Sequence, residues 1–113
     1  MIRGTTPTFK LMITDETLDL RTVNHIYATF EQGNNVITKT GEDLTVTVTE
    51  ETVEQKTVYE NEVDVYLNQT ESLSFKAGNI YAQLNWTYID GNRACTNIVS
   101  IKVGSNLIGS VLE

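Results

Sequence analysis

Cysteine, proline, histidine and tryptophan each occur once in this chain of 113 residues. A lone Cys95 cannot close an intrachain disulfide, so the Cys-Trp-Cys framework of antibody domains is excluded. A lone His25 excludes a two-histidine metal site or zinc constellation built within one chain. Basic residues are also scarce. Eight Lys and Arg against fifteen Asp and Glu give a net charge of -7, which opposes nucleic acid as a partner, because affinity for a phosphate backbone is built largely from Lys and Arg contacts. No apolar run approaches the roughly 20 residues of a membrane-spanning helix, so a soluble chain with no membrane partner is expected. The start Met1-Ile2-Arg3-Gly4-Thr5-Thr6-Pro7 has no apolar segment behind its one basic residue, unlike a secretory signal. Synthesis and retention in the cytoplasm are expected, short of export within an assembly, and the triplets Asn68-Gln69-Thr70 and Asn85-Trp86-Thr87 read as chance rather than glycosylation sites.

What the chain does have is alternation. Ile80, Ala82, Leu84, Trp86 and Tyr88 occupy every second position of one run, and Cys95, Val99, Ile101 and Val103 share one parity in the next. Successive side chains of an extended strand point to opposite faces, so each set defines one face. Between the runs, Asp90-Gly91 suits a two-residue type I′ turn, with Gly91-Asn92 as the neighbouring option. Either turn pairs even positions with odd ones and puts both apolar sets on the same side, whereas a three-residue loop would set them on opposite sides. On this reading Cys95 is a small buried residue.

Further alternating runs precede this hairpin. Phe9, Leu11 and Ile13 mark a strand at about residues 7–13, and Ile26, Ala28 and Phe30 a second within 23–31. Gln32-Gly33-Asn34-Asn35 is a turn, and residues 36–40 return as a third strand. Leu44, Val46 and Val48 alternate with Thr45, Thr47 and Thr49 in a fourth. Residues 50–62 carry five glutamates and read either as an exposed edge strand or as a long hairpin tip. Val63, Val65 and Leu67 form a further strand, and residues 70–75 suit one helical turn with Leu73 and Phe75 inward. Short strands at intervals of about ten residues point to an all-β fold, an immunoglobulin-like antiparallel β-sandwich of about seven to eight strands. The chain reads as a single domain, 1–113, with an N-terminal arm 1–6, a C-terminal tail 104–113, and a core including Phe9, Leu11, Phe30, Leu84, Trp86, Val99 and Ile101.

Several segments in order, the opening Met-Ile-Arg-Gly-Thr-Thr-Pro-Thr, Ile26 to Gln32 with Asn34-Asn35-Val36, Leu67 to Phe75, Ile89 to Ala94, and Ile98 to Gly104 with Leu107 to Val111, give the chain a resemblance. It resembles a family of short proteins encoded in prophages of Gram-positive bacteria, although residues 50–62 look longer than the corresponding stretch there. The architecture looks like the immunoglobulin-like N-terminal domain of phage baseplate upper proteins. The resemblance implies a non-enzymatic virion component of the tail or baseplate, with other virion proteins as partners and no cofactor. A stand-alone binding module for carbohydrate or a host surface protein is the alternative.

Candidate chemistry is thin. Glu62 with Asp64, or Asp90 with Glu31, could be imagined as carboxylate pairs for glycoside hydrolysis, but nothing in their spacing marks them. Asp15, Glu16 and Asp19, or Glu42 and Asp43, lack the ligand alternation of a calcium loop. Gly33, Gly41, Gly91 and Gly104 are isolated turn glycines rather than a phosphate cradle. Contact residues are better supplied. Tyr59, Tyr66 and Tyr81 suit an interface, since Tyr offers apolar area and a hydroxyl at small entropic cost, or else they cover a second sheet face. The tail residues Leu107, Ile108, Val111 and Leu112, with Met1, Ile2 and Arg3 of the arm, are expected to meet a neighbouring subunit or another virion protein; the alternative is that the tail completes the domain's own sheet.

Overall fold

The computed structural model describes all 113 residues. Eight strands form two antiparallel sheets: β1 (Thr8–Asp15), β2 (His25–Gln32), β3 (Asn35–Thr40), β4 (Leu44–Val53), β5 (Lys56–Tyr66), β6 (Gly78–Thr87), β7 (Arg93–Cys95) and β8 (Val99–Val103), with a 3-10 turn (Gly41–Asp43) between β3 and β4 and one short α-helix, α1 (Gln69–Ser74), between β5 and β6. The smaller sheet has the order β1-β5-β4. The larger has β3-β2-β6-β7, with β8 also pairing β6. In the lettering of immunoglobulin sandwiches, β1, β5 and β4 take the places of B, E and D, while β3, β2, β6 and β8 take those of C′, C, F and G. Strand A has no counterpart. Instead Ile2 of the N-terminal arm makes an isolated parallel bridge to Gly104, just beyond β8.

The alternating apolar residues meet between the sheets. Ala28 and Phe30 of β2, Val63 and Val65 of β5, and Ile80, Ala82, Leu84 and Trp86 of β6 are buried. Each of the larger ones contributes about 1.5–3 kcal/mol by leaving water. Phe9 of β1 bridges the sheets, its ring 5.3 Å from that of Phe30 at a tilt of 38°, within the range favoured by aromatic quadrupoles. Leu18 and Leu20, from the connection between β1 and β2, are also buried, although Asp15, Glu16, Thr17 and Asp19 around them are polar. A buried amide holds them there. Asn61 accepts from the Leu20 N–H at 2.8 Å and donates to the Leu18 and Ile13 carbonyls at 2.9 and 3.1 Å.

Residues 50–62 belong to one long hairpin in which β4 is the edge and β5 the centre of its sheet. Its turn is Glu54-Gln55, with φ of +51° and +66°. Its far end extends the molecule to 53 Å, against 29 and 24 Å across. Helix α1 starts with a capping box, in which Asn68 accepts from the Glu71 N–H and Glu71 accepts from the Asn68 N–H. Phe75 at its other end is fully buried.

The final hairpin departs from the two-residue turn. Its loop is three residues, Ile89-Asp90-Gly91: the Tyr88 N–H donates to the Asn92 carbonyl at 2.8 Å, and Gly91 supplies φ of +89°. The pairing Trp86↔Ala94 and Asn85↔Cys95 therefore turns Ala94 inward. Cys95 is exposed, not buried. A bulge at Thr96-Asn97-Ile98 then adds one residue, after which Ile101 pairs with Ile80 and Val103 with Gly78. Parity is restored, and Val103 is buried and Ile101 partly buried. Val99 has the inward parity but stays 45% exposed at the sheet edge, and Tyr88, beyond the last paired residue, is exposed as well.

Candidate functional site

The arm is tied to its own domain. The Met1 amino group donates to the Lys102 carbonyl at 2.9 Å, the Met1 carbonyl accepts from the Gly104 N–H at 2.7 Å, and the Arg3 N–H donates to the Gly104 carbonyl at 3.0 Å. The Arg3 guanidinium donates to the Phe75 and Leu73 carbonyls at 2.5 and 2.8 Å, capping the end of α1, where carbonyls lack helical partners. Gly4 sits at φ of +80°, and a Cβ there would lie 3.1 Å from Leu73 Cδ2. These contacts make Arg3 a brace between the arm and the helix. Of Met1, Ile2 and Arg3, the arm residues expected at an interface, Ile2 alone is exposed.

The tail beyond Gly104 enters no strand. Asn106 donates to the Arg3 carbonyl at 2.8 Å, and the Gln69 side chain holds Leu112, donating to its carbonyl at 2.9 Å and accepting from its N–H at 2.7 Å. Leu107, Ile108, Val111 and Leu112 all remain exposed. The three tyrosines do not form one patch. Tyr66 and Tyr81 are exposed on the outer faces of different sheets, while Tyr59 shares the inward parity of Asn61 and Val63 and is half-buried.

The outer face of the larger sheet carries a polar cleft that was not singled out from the sequence. Outward parity brings together Tyr27, Thr29 and Glu31 of β2, Tyr81, Gln83 and Asn85 of β6, and Arg93 of β7. Two depressions of about 220 and about 320 Å³ share Asn85 and Arg93. Arg93 donates twice to Asn85 Oδ1, at 3.2 and 2.9 Å, and makes no ion pair. The Thr87 hydroxyl in the second depression is buried and has no partner. The odd positions of 79–87 that oppose the apolar set were the signal available in the sequence.

Acidic groups stay dispersed. Glu62 and Asp64 lie on the outer face of β5, each 3.6 Å from Lys10 Nζ. No three His, Cys, Asp or Glu side chains converge as metal ligands. Asp90 accepts from Asn92 within its own turn. His25 is exposed at the start of β2.

Comparison with protein-family models, with curated proteins and with solved structures gives no match. The fold is therefore carried by the strand order itself. No helix is long and apolar enough to cross a membrane.

Proposed function

We propose that this chain is a non-enzymatic bacteriophage virion protein, a tail or baseplate component that attaches to other virion proteins and is made in the cytoplasm of the bacterial host. The observation that carries an attachment role is the uncovered apolar tail: Leu107, Ile108, Val111 and Leu112 stay exposed although the domain has closed its own core. Apolar groups arranged this way favour contact with another protein surface. The virion part of the reading is supported by the resemblance at both ends of the chain. Labelling purified particles with an antibody to this protein is the direct test. Label at the tail or baseplate is expected, and particles without the protein would overturn the reading.

One observation favours a second reading, a binding module for carbohydrate or a host surface protein. The cleft joins Tyr27 and Tyr81 to Asn85, Arg93 and an unpartnered Thr87 hydroxyl, a mixture of flat apolar surface and fixed polar groups suited to a polyhydroxylated ligand. Saturation-transfer NMR with host cell-wall oligosaccharides tests it. Contacts abolished by Arg93→Ala would favour this reading, and absence of transfer would count against it.

A further inference from the structure

The sandwich has four unpaired strand edges, grouped in two open sides. On one side β3 and β4 are guarded by charge: the inward-side Lys39 of β3 meets Glu71 at 2.5 Å, and Glu50 of β4 pairs with Arg21, itself 2.8 Å from Asp19. Charged residues of this kind discourage another strand from pairing. The other side, between β1 and β8, has no ion pair spanning it. It contains a groove of about 270 Å³ lined by Leu11, Ile13, Ala82, Leu84 and Val99, with Lys10 as its charged residue. The backbone edge of β1 that faces away from β5 has no strand partner. This is the place left by the absent strand A.

The tail is the second unmatched surface. We propose that the tail segment Leu107 to Leu112 of a second copy adds to the free edge of β1 as an extra strand and fills this groove. Going beyond attachment to other virion proteins, the inference concerns contact between copies.

Length fits: six extended residues span about 20 Å, within the roughly 26 Å of an eight-residue strand such as β1. Pattern fits in either register. Leu107 and Val111 share one face with Gly109 between them, and Ile108 and Leu112 share the other with Ser110 between them. Two apolar side chains therefore enter the groove whichever face turns inward, while main-chain hydrogen bonds form along β1. Charge does not oppose the contact, since Leu107 to Leu112 carry none and the groove's one charged residue, Lys10, is already matched by Glu62 and Asp64. In its own copy the tail is held at Leu112 by the Gln69 side chain. Release of that residue allows a reciprocal exchange, and two such exchanges close a symmetric dimer.

The test uses the full chain with Cys95→Ser. One preparation carries Met12→Cys on β1, and a second, with a different tag, carries Val111→Cys. Both positions are exposed, so folding is preserved. Mixed and mildly oxidised, they should form a disulfide between differently tagged chains. Light scattering should show a dimer that grows several-fold with Gln69→Ala and is lost in a chain ending at Gly104. A monomer throughout, or the absence of a disulfide between the differently tagged chains, overturns the proposal. Either result leaves particle labelling free to test the virion reading by itself.

Discussion

Thr96 occupies the ladder position opposite Leu84 with its side chain as well as its backbone: its N–H donates to the Leu84 carbonyl at 2.9 Å, and its hydroxyl accepts from the Leu84 N–H at 3.1 Å. The hydroxyl does the work of a carbonyl displaced by the bulge, and passes its own proton to the Asn97 carbonyl at 3.0 Å. Thr96→Val keeps the shape but leaves a strand N–H without its acceptor, which costs about 1–3 kcal/mol. Thr96→Ser should retain most of the stability. Urea unfolding of both variants checks this, and equal losses would contradict the assigned role.

Asn61 is fully buried and serves three backbone groups, one in β1 and two in the β1–β2 connection. Asn61→Ala should destabilise by about 2–4 kcal/mol, since several polar groups lose partners at once. Hydrogen exchange at the Leu20 amide should accelerate even under conditions where the rest of the variant remains folded. Unchanged protection at Leu20 would argue against the amide as its anchor.

Glu54 and Gln55 both adopt the left-handed conformation, which costs an ordinary L-residue roughly 1–2 kcal/mol. The double substitution Glu54→Asn with Gln55→Gly supplies residues suited to this hairpin turn. A stability gain of about 1 kcal/mol is expected, read as a higher thermal midpoint. A neutral or lower midpoint would refute the strain.

Acid should weaken the β1–β2 connection. The pKa of Asp15 is held below the usual carboxylate range chiefly by backbone N–H donation from Thr17, then from Leu18 and the Thr17 hydroxyl; that of Asp19 is lowered chiefly by hydrogen bonding from the Arg21 side chain. Because the folded pKa lies below the unfolded value of about 3.9, this stabilisation is present above about pH 4 and is lost as pH falls through the folded pKa. Asparagine at both positions keeps an acceptor oxygen but removes the titration. The urea midpoint of Asp15→Asn/Asp19→Asn should then fall less than that of the wild type between pH 6 and pH 3, whereas parallel curves would exclude these two carboxylates.

Cys95 faces outward beside Asn85, so its thiol should react with a disulfide reagent in the native protein as completely as in urea. Protection until unfolding would instead support the inward orientation that a two-residue turn requires. Labelling at this position also places a bulky group next to the polar cleft, and should block any ligand held by Arg93.

The all-β class, the inward faces of β2, β4 and β6, and a helical turn before β6 were legible in the residues alone, because period-two alternation and helical-turn preferences act within a few residues; the Asn68–Glu71 capping box emerged with the structure. The sequence also located the exposed tail, whose apolar side chains lie outside any alternating run. The rest followed from how distant segments pack. Whether Cys95 or Ala94 faces inward depended on loop length, and a single residue reverses a strand's faces; the bulge that reversed them again rests on Thr96 reaching Leu84 across the sheet. Leu18, Leu20 and Asn61 joined the core through hydrogen bonds between segments more than 40 residues apart, and the cleft at Arg93 arose from register across three strands. No local pattern encodes such pairings, because their free energy appears only when distant segments are already packed together.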